Sequence, residues 1–165
     1  MVLWVQKEMP LTIRLAAEAD IPALVALMTD FYAESNFVLS ATAARRAFEA
    51  LFAAPAFGVV WLAEEAGVPV GHVVLALSFS MEYGGLRGFI DDLFVRSAAR
   101  GRGVGAALLA AARDGAGARG LRVLQVETGH APHLARPLYA RAGYVDSGHA
   151  LLTLPIATPL HAVGE

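Results

Sequence analysis

The chain has 165 residues, no cysteine, and a formal net charge of −2 from 13 basic and 15 acidic residues. That length fits one domain, read here as 1–165 with a loose N-terminal tail over 1–10, and one core of this size buries about two-thirds of the surface the unfolded chain exposes. Lacking cysteine, it has no disulfide, no thiolate metal site and no cysteine nucleophile.

Twelve of the 13 basic residues are arginine and acids outnumber them. No overall basic field results, so no nucleic-acid partner is expected. Mean hydropathy is +0.52, carried largely by alanine, and every uncharged run is broken well short of the ~20 residues that a membrane span needs. The opening MVLWVQKEMP has no extended apolar core and no cleavage pattern. A cytoplasmic location without a membrane partner is the default expectation. No spacing of side chains suggests a metal site.

In chain order, Leu11 to Leu15 alternates as a first strand. Asp20 then reads as an N-cap with Pro22 in the first turn, and Ile21, Leu24, Val25, Met28, Phe31 and Tyr32 form one apolar helical face ending near Glu34. A second helix is expected over Thr42 to Ala53, stopped by Pro55. The period then changes. Gly58 to Glu64 and Val70 to Phe79 read as a hairpin about the turn residues Ala66 to Pro69. Ser80 to Gly88 reads as a loop leading to a strand from Ile90 to Val95. His72 reads as a packed strand residue.

The loop Arg100-Gly-Arg-Gly-Val-Gly105 opens an alanine-rich helix, so unpaired N–H groups and a positive dipole end converge on one spot. Glycines there let the backbone approach a pyrophosphate, and Arg100 and Arg102 add charge-assisted donors. From spacing alone, the loop fits an anion site and an ordinary glycine-rich helix entry equally well. Gly115 and Gly117 suggest that this helix ends early. Leu121 to Val126 follows as a buried strand, Leu134 to Ala142 as a short helix, and Tyr144 onward as one or two closing strands that include Leu151 to Leu154.

Taken together, Ile90-Asp-Asp-Leu-Phe-Val95 followed by the Arg100 to Gly105 loop resembles the acetyl-coenzyme A signature of the GNAT superfamily of N-acetyltransferases. The acid pair is particularly similar to diamine and polyamine acetyltransferases. Leu138-Tyr139-Ala-Arg-Ala-Gly143-Tyr144 resembles the family's second cofactor segment, and Thr12 to Asp20 its usual first strand and helix entry. The resemblance spans roughly 11 to 148 in matching order.

The fold it implies is α+β: a mixed, mostly antiparallel sheet of about seven strands, with a splayed fourth and fifth pair and helices on both faces. It implies acetyl-coenzyme A as co-substrate, no metal, and direct transfer to an amine in a ternary complex. The pantetheine arm would lie along Phe94 to Arg96, and the N–H of Val95 would face an oxyanion. Pyrophosphate contacts would come from Arg100, Gly101, Arg102, Gly103, Val104 and Gly105, with Tyr139 and Arg141 completing the cofactor set.

Tyr139 is the candidate acid, and Asp91, Asp92 or Glu127 the base. Strand alternation would let only one of Asp91 and Asp92 face the cleft. Each also reads as a plain solvated charge. For the acceptor, Asp30, Phe31, Tyr32 and Glu34 would form one wall and Met81, Glu82 and Tyr83 another, suiting a cationic small-molecule amine such as a diamine, polyamine or amino acid.

One departure stands out: Pro132 occupies the position of an asparagine that many members use to contact the pantetheine arm, which leaves His130 or His133 as replacements. A homodimer is an expectation of the family alone. Alternatives are a protein N-acetyltransferase, a non-catalytic acetyl-coenzyme A sensor with the same fold, and a dinucleotide-binding fold suggested by Gly101, Gly103 and Ala106. The last fits poorly, because the loop follows about the fourth strand rather than the first.

Overall fold

The computed structural model describes residues 10–35, 38–128 and 135–157. Strand β1 (Leu11–Leu15) precedes two helices, α1 (Ile21–Glu34) and α2 (Ala41–Ala53). Strands β2 (Gly58–Glu65), β3 (Val68–Ser80) and β4 (Gly85–Val95) follow, then α3 (Val104–Ala118), β5 (Val123–Val126) and α4 (Ala135–Arg141). The sheet has the order β1-β2-β3-β4-β5, antiparallel except for the β4/β5 pair, whose parallel crossover carries α3. A parallel pair requires such a crossover, and a helix supplies it.

Two apolar layers sandwich the sheet. On one face α1 and α2 press Leu24, Leu27 and Phe48 onto Val60, Leu62, Val74 and Phe94. On the other, α3 presses Leu108, Leu109 and Ala112 onto Trp61, Val73, Leu75 and Ile90. Each strand alternates between the layers, as its period of two demands. His72 is fully buried in the α1 layer beside Phe94, and burial lowers its pKa to about 4, which keeps the imidazole neutral.

Several boundaries differ from the expectations above. The turn between β2 and β3 is only Ala66-Gly67, both at positive φ, the two-residue geometry that matches strand twist. Strand β4 begins at Gly85, so the expected loop shrinks to a four-residue turn at 81–84 and the hairpin lengthens. Asp20 stands at the N-cap of α1 without capping it. Its carboxylate instead accepts from Arg14 and from the N–H of Ala17, and Arg14 also holds Glu64, so the three tie β1 to β2 and the helix entry.

The sheet has five strands among the described residues, not about seven. Residues from Tyr144 to Ala157 form no strand, and Leu151, Leu152 and Leu154 are 61%, 90% and 81% exposed. An alternating apolar run specifies a strand only where a neighbour offers a ladder, and β5 has just four residues. No helix among the described residues is long and apolar enough to cross a membrane.

Helix α3 does not end early either. It runs through Gly115 and Gly117 to Ala118, and the two glycines differ in kind. A Cβ on Gly115 would lie 2.3 Å from the Trp61 ring, whereas one on Gly117 meets nothing within 4 Å. Gly115→Ala should therefore destabilise the fold by about 1–3 kcal/mol through overpacking, and Gly117→Ala should stabilise it by about 0.5–1 kcal/mol. Urea unfolding of the two variants checks the opposite signs.

Candidate active site

β4 is paired along its whole length on one side and along only part of it on the other. Against β3 the ladder runs from Gly85 to Val95, while β5 pairs only Arg87, Gly88, Phe89 and Ile90. Past Ile90 and Val126 the two strands part. The N–H of Arg96 donates to Val70, and alternation along an antiparallel ladder then turns the N–H groups of Leu93 and Val95 to the opposite side, where β5 has ended. Exposed strand backbone of this kind needs a partner, and an extended amide-bearing arm supplies one.

At the parting point the register slips: Val74 faces Asp92 and Leu75 faces Ile90, so Asp91 is the extra residue of a β-bulge. The bulge relaxes the strict alternation expected for this pair. Burial pushes the Tyr32 hydroxyl up to about 12, and the charges of both Asp92 and Asp91 contribute. Both carboxyls thus act on one region beside α1. Desolvation raises Asp91, and it raises Asp92 to about 7 with help from the negative charge of Asp91. Asp92 is therefore poised between its acid and base forms near neutral pH.

Tyr139 reaches the same region from the other side. It is buried on α4, its hydroxyl raised to about 12 by desolvation, then by Tyr144 and Asp92. Such a phenol stays protonated at neutral pH and can donate. Its ring meets Tyr144 edge-on at 5.5 Å. Tyr144 was absent from the expected site residues although it ends the segment that carries the family resemblance. Leu138 seats α4, and a Cβ on Gly105 would come within 3.1 Å of it.

The loop before α3 is shaped for an anion. Gly101 and Gly103 have φ of 75° and 84°, and a Cβ on either would meet nothing within 4 Å. The first helical hydrogen bond runs from Ala107 to Gly103. No described residue accepts from the N–H groups of Gly101 to Ala106, which leaves a run of donors at the positive end of a 15-residue helix. These residues fit a pyrophosphate.

Both arginines of the loop already hold acids, contrary to the simple picture of free cations. Arg102 binds Glu65 at 2.8 Å and the carbonyl of Ala98, and Glu65 is only 6% exposed. Removing Arg102 would strand a buried carboxylate, so this residue staples the loop to β2. Arg100 donates to the carbonyl of Val95, binds Glu34 at 2.5 Å and lies over the Phe94 ring at 5.6 Å. Arg96 binds Asp30 at 2.9 Å.

Asp30 and Glu34 are therefore matched to Arg96 and Arg100 and are not open acids of the acceptor wall. Of that wall, Phe31 and Tyr32 remain: Phe31 stacks on Phe94 at 5.4 Å and meets Tyr32 edge-on. Glu82 and Tyr83 sit in the turn ahead of β4, about 20 Å from Asp92 at roughly 3.3 Å per residue, so they are not brought together with Tyr32. Glu127 is exposed just past β5, and Arg141 is exposed in the last turn of α4. His130, Pro132 and His133 lie outside the described residues. Among the described residues no group of acids and histidines could hold a metal.

The comparisons place the chain in a family. Residues 24–144 match the model of the acetyltransferase (GNAT) family. An uncharacterized N-acetyltransferase of Bacillus subtilis, YhfO, is 39% identical over 100 residues, covering 59% of this chain and 67% of that protein. The crystal structure of an integron cassette protein from the mobile metagenome of Cole Harbour Salt Marsh is 46% identical and superposes with a TM-score of 0.84 over 96% of this chain and 99% of its own. A predicted acetyltransferase from Clostridium acetobutylicum, solved with acetyl-CoA, shares the fold at 20% identity, with a TM-score of 0.75 over 88% of this chain and 96% of its own.

The raised Asp92 has a cost in stability. Its folded pKa of about 7 exceeds the ordinary 3.8, so between about pH 4 and pH 7 the folded chain keeps a proton that the unfolded chain releases, and stability falls as pH rises through that window. Asp92→Asn should raise the unfolding free energy at pH 8 by about 1–3 kcal/mol, with the gain shrinking toward pH 4. Denaturant melts at the two pH values measure it.

Proposed function

The chain belongs to the acetyltransferase (GNAT) family and is an acyltransferase that uses acetyl-CoA, and from that premise we propose that it acetylates the primary amine of a small molecule directly, in a ternary complex. The observation that carries the reading is Asp92, a half-buried carboxyl with a pKa of about 7 at the bulge where β4 and β5 part. Acetyl-CoA supplies an activated acetyl thioester. The outward N–H of Val95 is the donor for the oxygen on which negative charge develops, and the amides from Gly101 to Ala106 anchor the phosphates.

An amine that enters as an ammonium must lose a proton before it can attack. Asp92 accepts it, directly or through one water, and Asp91 keeps the region negative enough to draw the ammonium in. The protonated Tyr139 stands opposite, placed to give its proton to the departing thiolate, and the second proton that the acetylated nitrogen sheds through water restores the phenol. The absence of cysteine fits a route without a thioester intermediate on the protein. Phe31 and Tyr32 offer ring faces to the amine.

A single-charge acceptor suits this site better than a diamine or polyamine. The α1 acids that might bind a second ammonium are matched to Arg96 and Arg100, so Asp91 and Asp92 are the negative pair beside Tyr32. A protein amine is the second reading, and a substrate panel separates the two.

Thiol release from acetyl-CoA, measured with hexylamine, 1,6-diaminohexane, amino acids and short peptides, tests the proposal. Small amines should react, hexylamine with the higher kcat/KM of the matched pair, along an acid limb near pH 7. Asp92→Asn and Tyr139→Phe should each lower kcat about 10²- to 10⁴-fold. A panel in which only peptides turn over would replace the small-molecule reading with the protein one.

A further inference from the structure

Two ion pairs zip α1 to the segment that leads into the phosphate loop. Asp30 and Glu34 lie four residues apart on α1 and so share one helical face. Arg96 and Arg100 flank the single helical turn Ser97–Ala99 that follows β4. The rungs are Asp30 to Arg96 at 2.9 Å and Glu34 to Arg100 at 2.5 Å. They join the element that carries Phe31 and Tyr32 to the one that carries the anion site.

The loop arginines are not equally free to change partner. Arg102 is bound to Glu65, whose side chain is 7% exposed, and leaving it would bury an unpaired charge. Arg100 and Glu34 have side chains 40% and 44% exposed, so water can solvate either one when the pair opens. The Nε of Arg100 stays on the carbonyl of Val95 and its plane over Phe94, and only the terminal nitrogen needs a new acceptor. The side chain is thus aimed beforehand, with a carboxylate held where a second anion would compete for it.

We propose that Glu34 is a stand-in anion in the cofactor site: it positions Arg100 and competes with the pyrophosphate for its terminal nitrogen, so that filling the loop releases the last turn of α1. This rests on the reading of Arg100 to Gly105 as the acetyl-CoA phosphate site. Release of that turn frees the helix end next to Phe31 and Tyr32, which favours cofactor before acceptor. Glu34 is then a positioning residue of the cofactor site and takes no part in binding the amine.

The sign of the effect is diagnostic, because loss of a merely structural contact weakens binding whereas loss of a competitor strengthens it. Acetyl-CoA binding is measured by calorimetry on wild type, Glu34→Gln and Asp30→Asn, with thermal melts to verify folding. Glu34→Gln should tighten binding about two- to five-fold, the factor an exposed ion pair is worth. Asp30→Asn removes the same charge one turn away and should change binding by less than Glu34→Gln does.

Unchanged or weaker binding by Glu34→Gln overturns the proposal while leaving the loop assignment intact. An equal gain from Asp30→Asn also overturns it, since net charge would then explain everything. Failure of the wild type to bind acetyl-CoA removes the loop assignment, and the proposal with it.

Discussion

A mismatch in pairing length organises this molecule. β4 has 11 residues and β5 has four, and β3 covers the other edge of β4 from end to end. One edge of β4 is thus satisfied throughout, and the other only from Arg87 to Ile90. The unpaired half cannot be buried without a hydrogen-bonding partner. It is held in place by β3 and left open by β5, which makes a fixed strand edge that an extended ligand can complete. The candidate site gathers there: the bulge at Asp91 marks where the pairing stops, and the glycine loop Arg100 to Gly105 begins five residues after Val95.

Three helices then each bring one kind of group to that edge. α1 brings the aromatic pair Phe31 and Tyr32 across one face of the sheet. α3 brings its unpaired N–H groups, set at the end of β4 by two glycines whose positive φ would strain other residues. α4 brings Tyr139, and it sits close because Leu138 rests over Gly105, where a side chain would crowd it. The packing that holds these helices is ordinary apolar burial. Their positions are set by the sheet, and the handedness of a parallel crossover fixes the face on which α3 lies between β4 and β5.

How much of this could be read from the residues depends on how local each signal is. The four helices and the first five strands announce themselves through period and turn chemistry within a few residues: Pro22, Pro55 and Gly67 each punctuate a boundary. The Arg100 to Gly105 loop and the Asp pair are local too. What escaped was long-range. Glu34 and Arg100 are 66 residues apart, and so are Asp30 and Arg96, while Glu65 and Arg102 are separated by 37. Each acid alone looks like a solvated helix or strand charge. The role of Gly115 depends on Trp61, 54 residues earlier. In the segment after Tyr144, the apolar alternation is present but no ladder meets it.

The ion pairs also bear on the chemistry of the acids that lack them. Twelve arginines in one small domain are a hazard to any carboxylate meant to work as a base, since a guanidinium beside Asp92 would lower its pKa and leave it ionised, inert toward protons near neutral pH. The three arginines that follow β4 in the chain, Arg96, Arg100 and Arg102, are instead taken up by Asp30, Glu34 and Glu65. Among the described residues no cation pairs with Asp91 or Asp92, and desolvation, with the neighbouring charge, is free to raise Asp92 to about 7. Asp30, Glu34 and Glu65 thereby neutralise Arg96, Arg100 and Arg102, the cations that follow the bulged strand. A carboxyl with a raised pKa can thus stand four residues before the first of these arginines on the same stretch of chain.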